Sequence, residues 1–166
     1  VIDPWLSETA DYFADVVLPA STMEKYEGPL GVKTAYDDAT SLRIPPMDPL
    51  YDSRGDIDIY LDLCEKVGIL YGEGGYLDQL NKTSKLALKD PHKLDINTKP
   101  TVREIFDHWA MSAGIEEGVA YFEEHGVQNK GAIGATSRYG YATSPPFKGA
   151  LHRLYGESLL SIAEEM

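Results

Sequence analysis

The sequence predicts an α/β fold, with an incomplete layer of one or two short parallel strands followed by a helix-rich region and long loops. Near the N-terminus, an apolar pair that runs into Asp3-Pro4 and a β-branched run at 14–18 flank a short helical segment, which gives the order strand, helix, strand. Further along, apolar residues recur at helical spacing over 57–67 and over 102–110.

The composition limits the classes of function that fit the chain. A length of 166 residues suits one domain or a piece of one, and 43% hydrophobic residues are ordinary for a globular protein. With 15 basic against 27 acidic side chains and a net charge of −12, the chain is unsuited to nucleic acid or to anionic membranes. No apolar run approaches the roughly 18 residues that span a bilayer. The single cysteine, Cys64, excludes an internal disulfide and a Cys-rich metal site.

The N-terminal elements follow from apolar runs and their breakers. The chain opens on Val1-Ile2-Asp3-Pro4, which is typical of the end of a strand whose start is missing, so we expect an excerpt from a longer polypeptide; a processed N-terminus is the alternative. Ser7 begins a helical turn that reaches Phe13, and the run 14–18 forms a strand that Pro19 stops.

A Pro-rich stretch and two helical segments fill the middle of the chain. Residues 26–51 are predicted to form an extended loop with one strand at 41–44. The stripe at 57–67 predicts a helix that ends at Gly68, with Cys64 as a small buried apolar residue on it. The segment 76–88 is a weaker helical candidate.

The clearest helix start is Thr101, where Thr101-Val102-Arg103-Glu104 matches a capping box. This helix is expected to end at Gly114 and to be followed by a second helix at 115–124. Residues 127–146 are rich in glycine and serine. The last segment, 147–160, is expected to be a strand or a lid-like extension.

General catalytic motifs are missing from the sequence. The four histidines show no HxxxH spacing, and Gly72-Glu73-Gly74-Gly75 is not a GxGxxG loop. Neither GxSxG, a Walker motif nor HExxH is present. We therefore predict no catalytic residue and no metal ligand in this chain.

The N-terminal third nevertheless carries a family pattern. Three segments resemble the molybdopterin oxidoreductase family: Ile2-Asp3-Pro4, the run SETADYFADVVLP at 7–19, and Glu24 to Gly28. The family pattern is a strand ending in Asp, then TETA-x-x-ADVVLP, then a turn with Glu and Gly. These are the bis-molybdopterin guanine dinucleotide (bis-MGD) enzymes related to dimethyl sulfoxide reductase. The run 46–54, followed by a helix through Gly68, is also similar to the family. The tail at 145–159 resembles the family more weakly, because Ala150-Leu151 replace its usual Gly-Lys.

The resemblance implies a place for this chain in a larger enzyme. Residues 1–145 would be the later half of the third domain, a Rossmann-like α/β domain that binds one MGD moiety, and 146–166 would be the junction towards the C-terminal domain. The parent would be a molybdenum or tungsten oxidoreductase, and the resemblance favours one that reduces a small sulfur or arsenic oxyanion. The iron–sulfur and metal-ligating domains would lie outside this sequence, so the chain alone should be inactive.

The same resemblance suggests partners and a location. The remaining domains of the parent chain and an iron–sulfur electron-transfer subunit are the expected partners, with no nucleic acid and no direct membrane insertion. A prokaryotic membrane complex, on its periplasmic or cytoplasmic face, would be the setting. The alternative is a non-catalytic, family-derived subunit or interaction module without redox activity.

Two cofactor-binding residues are expected at the end of the first strand. Ligands of open α/β sheets lie outside the carboxyl ends of the strands, where the Asp3 carboxylate can accept hydrogen bonds from ribose hydroxyls or the guanine edge. Ile2 would offer its backbone beside it. The alternative for Asp3 is an Asx-turn acceptor before Pro4.

Two further cofactor-binding residues are expected further along the chain. By the resemblance, Asp56 at the start of a helix would bind guanine N1–H and N2–H, with Asp58 as the fallback. The alternative is an acid favoured by the helix dipole, with Ser53-x-x-Asp56 resembling a capping box. Lys25 could neutralise a cofactor phosphate or contact a carbonyl, or else be a solvated surface lysine.

Overall fold

The computed structural model describes residues 1–33, 38–83 and 86–131. These residues belong to two units, one of residues 1–30 with 40–83 and 86–128, and one of residues 31–33 and 38–39 with 129–131. The predicted strand or lid at 147–160 and the predicted junction at 146–166 lie outside the described residues.

The N-terminal layer is a small parallel α/β unit. Strand β1 (Ile2–Asp3) pairs in parallel with β2 (Leu18–Pro19), with Ile2 opposite Leu18 and Asp3 opposite Pro19. Helix α1 (Glu8–Phe13) connects them, and the Ser7 hydroxyl accepts the amide of Ala10 at 3.4 Å as its N-cap. The predicted order of strand, helix and strand is confirmed, as is the parallel pairing.

The second strand is shorter than predicted and does not stop before Pro19. It covers only Leu18–Pro19, whereas Val16 in the predicted strand is 64% exposed. Proline is tolerated because alternate residues bond to opposite sides. The Leu18 amide donates to the Val1 carbonyl, just before β1, at 2.9 Å, while the Pro19 carbonyl accepts the amide of Arg54 at 3.1 Å. Ala20 then forms a parallel bridge with Arg54, so a third segment joins the layer.

The second sheet contains three strands in the order β3-β4-β5, namely β3 (Glu27–Lys33), β4 (Asp38–Arg43) and β5 (Val127–Asn129). The prediction of an extended loop over 26–51 with a single strand was therefore wrong. Only the predicted strand at 41–44 overlaps β4. The central strand β4 pairs with the neighbouring β3 and with the distant β5, and this pairing outweighs the local Pro and Gly signals that favour a loop.

Four helices follow, and their strongest local signals are confirmed. Helix α2 (Asp56–Val67) ends at Gly68, whose φ of 82° is left-handed and suits glycine. The remaining helices are α3 (Tyr76–Lys82), α4 (Val102–Ser112) and α5 (Val119–His125). At the start of α4, Thr101 and Glu104 form both hydrogen bonds of the predicted capping box.

Two helix boundaries differ from the predictions. Helix α3 ends at Lys82, not at residue 88, and α5 begins at Val119, not at residue 115. The later start of α5 has a tertiary cause, because the Val119 amide donates to the Asp107 carboxylate of α4 at 2.7 Å.

The hydrophobic core lies mainly among the helices. Phe106, Phe122 and Leu61 are among its most buried side chains, and the Trp109 ring stacks on Phe122 with centroids 5.8 Å apart. Cys64 is half-buried and packs against this core. Within the described part of the chain, no helix is long and apolar enough to cross a membrane.

Candidate functional site

Three chain segments of the N-terminal layer end at a common edge. Strands β1 and β2 run in parallel, and Ala20, directly after β2, bridges Arg54 in parallel. Residues that follow these segments therefore emerge at the same carboxyl edge, where open α/β sheets bind their ligands.

The structure places Ile2 and Asp3 on β1 at this edge, where both are half-buried. Asp3 accepts the Trp5 amide on Oδ1 at 2.9 Å and the Ser7 hydroxyl on Oδ2 at 3.4 Å. The first of these bonds is the Asx turn that the sequence offered as the alternative. Each carboxylate oxygen has two acceptor positions, so Asp3 retains capacity for a ligand.

The structure brings Lys25 and Asp56 together. The Lys25 ammonium donates to Oδ2 of Asp56, with 17% of the lysine side chain and 43% of the aspartate side chain exposed. Lys25 is therefore not the solvated surface lysine of the alternative interpretation. In this structure the Lys25 ammonium forms an ion pair with the Asp56 carboxylate at the start of α2.

The capping box that the sequence offered at Ser53 and Asp56 is wrong. Gly55 is the N-cap of α2 and provides no side-chain hydrogen bond, while the Ser53 hydroxyl donates to the Leu50 carbonyl at 2.6 Å. A Cβ at position 55 would lie 2.9 Å from Oδ2 of Asp58 and 3.3 Å from the Cβ of Lys25, so a larger residue here would displace these side chains.

Asp58, the fallback for guanine recognition, differs from Asp56 in its surroundings. Burial raises the pKa of Asp58, and the positive charge of Arg54 offsets part of that rise. Arg54 itself donates to Asp62, one turn further along α2.

A cleft of about 500 Å³ opens at the carboxyl edge of the layer. Its lining combines residues that follow β1, residues that follow β2 and the loop before α2. They are Pro4, Trp5, Pro19, Ala20, Ser21, Thr22, Glu24, Leu50, Tyr51, Asp52 and Ser53. Sequence reasoning predicted none of these as binding residues, and the signal that could have identified several of them is their place just after a strand.

Two serine hydroxyl groups of the cleft form a short chain of hydrogen bonds. Ser21 is 2% exposed, and its hydroxyl donates to that of Ser53 at 3.3 Å. Ser53 in turn donates to the Leu50 carbonyl. Ser21 and Ser53 therefore fasten the loop before α2 to the end of β2 and fix the shape of the cleft.

Glu24 organises its own turn. Its carboxylate accepts the Thr22 amide at 3.2 Å, the Thr22 hydroxyl at 3.0 Å and the Met23 amide at 3.1 Å. Hydrogen bonds from the turn backbone, together with that of the Thr22 hydroxyl, hold the pKa of Glu24 below its ordinary value. This carboxylate is suited to holding the turn and not to general acid–base chemistry.

A charged ridge lies along α2 outside the cleft, where Asp62 and Glu65 of the helix meet Arg54 and Lys99 from other segments. Asp62 accepts Arg54 and also Lys99, the latter at 2.6 Å, and Lys99 donates to Glu65 as well. These hydrogen bonds, the one from Arg54 first, lower the pKa of Asp62 to about 2. The ridge is a network of ion pairs with no free acid or base for chemistry.

Among the described residues, no group of three or more His, Cys, Asp or Glu side chains is placed to hold a metal ion. No family model, curated protein or solved structure matches the chain. The family resemblance therefore remains a prediction that rests on the quoted motifs.

Proposed function

We propose that this chain is part of a molybdenum or tungsten oxidoreductase and helps to bind the guanosine part of one molybdopterin guanine dinucleotide. The observation that carries the proposal is the parallel layer, which brings the ends of β1 and β2 and the start of α2 to one edge beside a cleft of about 500 Å³. That edge is where open α/β sheets bind nucleotides, and ligand clefts commonly enclose about 300–1,000 Å³.

The carboxylates at this edge suit guanine and ribose. Guanine presents N1–H and N2–H as neighbouring donors, and a carboxylate can accept both. Lys25 donates to Oδ2 of Asp56 and so orients this carboxylate, while Oδ1 keeps its acceptor positions. Asp3, whose oxygens are only partly used by its own loop, can accept ribose hydroxyls.

The residues fit the guanosine part of the cofactor and supply nothing for its metal. When bound, the cofactor would supply two-electron chemistry at molybdenum or tungsten. In this proposal, Asp56 and Asp3 bind and orient the guanosine end, and Lys25 positions Asp56. The metal ligand would come from another domain of the parent chain.

The exposed apolar surface of the N-terminal layer supports the proposed partners. Phe13 is 83% exposed, Tyr12 73% and Val16 64%. Parallel α/β layers are ordinarily covered on both faces, and a large exposed apolar patch marks an interaction surface. We propose that the remaining domains of the parent chain cover it, and that an iron–sulfur subunit delivers electrons for reduction of a small sulfur or arsenic oxyanion.

The proposal is tested by Asp56→Asn in the full-length parent protein. Asparagine keeps the size but replaces one acceptor with a donor that faces guanine N–H groups, and an unmade buried hydrogen bond costs about 1–3 kcal/mol. Molybdenum or tungsten content and guanine content should both fall, with circular dichroism unchanged.

Asp58→Asn is the matched control, because it lies two residues along the same helix. It should leave cofactor content unchanged, whereas a loss with Asp58→Asn alone would move the guanine contact to Asp58. Equal metal and guanine content in all three proteins would refute the site. The 166-residue chain alone should retain no stoichiometric cofactor, and one metal per purified chain would contradict this.

A further inference from the structure

Two aromatic side chains border the cleft at the carboxyl edge and are largely in solvent. Trp5 is 71% exposed and Tyr51 is 100% exposed, whereas the other tryptophan, Trp109, is 7% exposed in the core. Both exposed rings belong to the lining of the same cleft, one from the loop after β1 and the other from the loop before α2.

Tyr51 has a backbone conformation that is rare for a bulky residue. Its φ of 55° is left-handed, and among the described residues other than glycine only Ala87 shares a positive φ. The loop is held in this form by Ser53, whose amide and hydroxyl both donate to the Leu50 carbonyl, at 3.1 and 2.6 Å. Such strain persists where the surroundings fix it and is concentrated at ligand-binding sites.

The charges around the cleft favour an uncharged ring over a phosphate. Glu24 and Asp52 belong to the lining, and none of its described members is Lys or Arg. The nearby Lys25 is already paired with Asp56. A phosphate inside the cleft would therefore meet carboxylates and no cation of the lining, so the phosphate of a nucleotide should stay in solvent, while the flat face of its heterocycle has aromatic rings to contact.

We propose that Trp5 and Tyr51 form a stacking platform that holds the face of a purine ring in this cleft. Base–aromatic stacking is strong enough to bind a ring without reading its edge. The platform thus supplies affinity for a purine as such. The choice of guanine over adenine rests on the proposed function and on Asp56.

The test is a titration of the 166-residue chain with guanosine monophosphate, followed by NMR of the tryptophan indole N–H groups. The chain has two tryptophans and hence two indole signals, which Trp5→Phe assigns. The Trp5 signal should shift with millimolar nucleotide, while the Trp109 signal should stay in place. Tyr51→Ala should weaken binding about tenfold, and Tyr51→Phe should bind as the native chain does.

Tyr12→Ala is the matched control, because this tyrosine is also 73% exposed but lies on α1 and outside the cleft lining. It should bind as tightly as the native chain. All of these side chains are largely in solvent, so the variants should fold normally. A Trp5 signal that does not move, or equal affinity for Tyr51→Ala and Tyr12→Ala, would overturn the stacking platform.

Adenosine monophosphate separates this inference from the proposed function. If both nucleotides bind equally and Asp56→Asn changes neither, the platform is supported and the guanine assignment fails. If guanosine monophosphate alone binds, and binding depends on Asp56 but not on Trp5 or Tyr51, the guanine assignment is supported and the platform is wrong.

Discussion

The helical region at 57–128 and the N-terminal layer at 1–24 differ in how far their apolar side chains are buried. In the helical region, Phe106, Phe122 and Leu77 are each no more than 2% exposed. In the layer, Phe13 and Leu6 are 83% and 73% exposed, and Ala10 and Ala20 are its only buried apolar residues.

This difference indicates that the folded structures of the two regions are stabilised by different interactions. The helices are stabilised by apolar burial, at roughly 25 cal/mol per Å². The layer has strands of only two residues, and it is tied to the rest by backbone hydrogen bonds such as that from the Ser21 amide to the Arg54 carbonyl at 2.7 Å. A layer of this kind is suited to being completed by other elements.

The largest test of the comparison replaces one phenylalanine in each region. Phe106→Ala removes a ring that is 1% exposed and should lower the free energy of unfolding by about 3–5 kcal/mol. Phe13→Ala, at 83% exposure, should change it by less than about 0.5 kcal/mol. Urea unfolding followed by circular dichroism measures both. Similar losses in the two variants would mean that Phe13 is buried in solution.

The next test concerns Gly118, which begins α5. Its φ of 65° and ψ of −137° suit only glycine, and a Cβ there would lie 2.5 Å from Oδ1 of Asp107. Gly118→Ala should therefore cost about 1–3 kcal/mol of stability in thermal or urea unfolding. Gly114→Ala is the control, since Gly114 has a φ of 90° but no atom within 4 Å of the added Cβ, and it should cost less. Equal costs would exclude the contact with Asp107 as a cause.

A third test compares the N-caps of the two regions. Thr101→Ala removes the hydroxyl that accepts the Glu104 amide at 3.2 Å and should cost about 0.5–2 kcal/mol, while Thr101→Ser should restore most of it. Ser7→Ala removes a single, longer capping bond of 3.4 Å and no capping box, so it should cost less. Thermal melts of the three variants decide the order, and no shift for Thr101→Ala would mean that α4 does not depend on this cap.

The smallest expected effect is electrostatic and depends on pH. Arg54 and Lys99 lower the pKa of Asp62 to about 2, so its contribution is complete above the unfolded pKa of about 4 and is lost as pH falls through about 2. Asp62→Asn should reduce stability at neutral pH by less than about 1 kcal/mol. The difference between native chain and variant, from urea unfolding across pH, should vanish in acid. A difference that persists at the lowest pH would have a non-ionic origin.

The sequence predicted those elements of the fold whose signals are local. Gly68 marks the end of α2 and Thr101 marks the start of α4, each through hydrogen bonds to residues a few positions away. Both predictions are confirmed. By contrast, β3 and β4 lie in a Pro- and Gly-rich stretch that resembles a loop, and the start of α5 depends on Asp107, 12 residues away. Contacts between distant residues leave little trace in a local pattern.

The residues of the candidate site also divide into those with a local sequence signal and those that depend on contacts between distant residues. Asp3 was predicted from its place at the end of a strand, and Asp56 was predicted by the family resemblance, which puts an acid at the start of this helix; the structure has both residues in those local positions. The ion pair between Lys25 and Asp56 joins residues 31 positions apart, and the cleft depends on a parallel bridge between Ala20 and Arg54. Neither is visible before the chain folds, so Trp5, Ser21 and Tyr51 went unrecognised.

The contact between Asp107 and Val119 has a consequence for the order of folding events. Helix α5 has seven residues, fewer than the roughly 12–15 that an isolated helix needs to be stable in water. Its first amide is bound by α4, and its Phe122 ring stacks on Trp109. Closing so short a stretch of chain loses little entropy, so the two helices should form together as one rapid local step. Contacts such as that of Arg103 with the Tyr26 hydroxyl, 77 positions apart, should form later and set the overall rate.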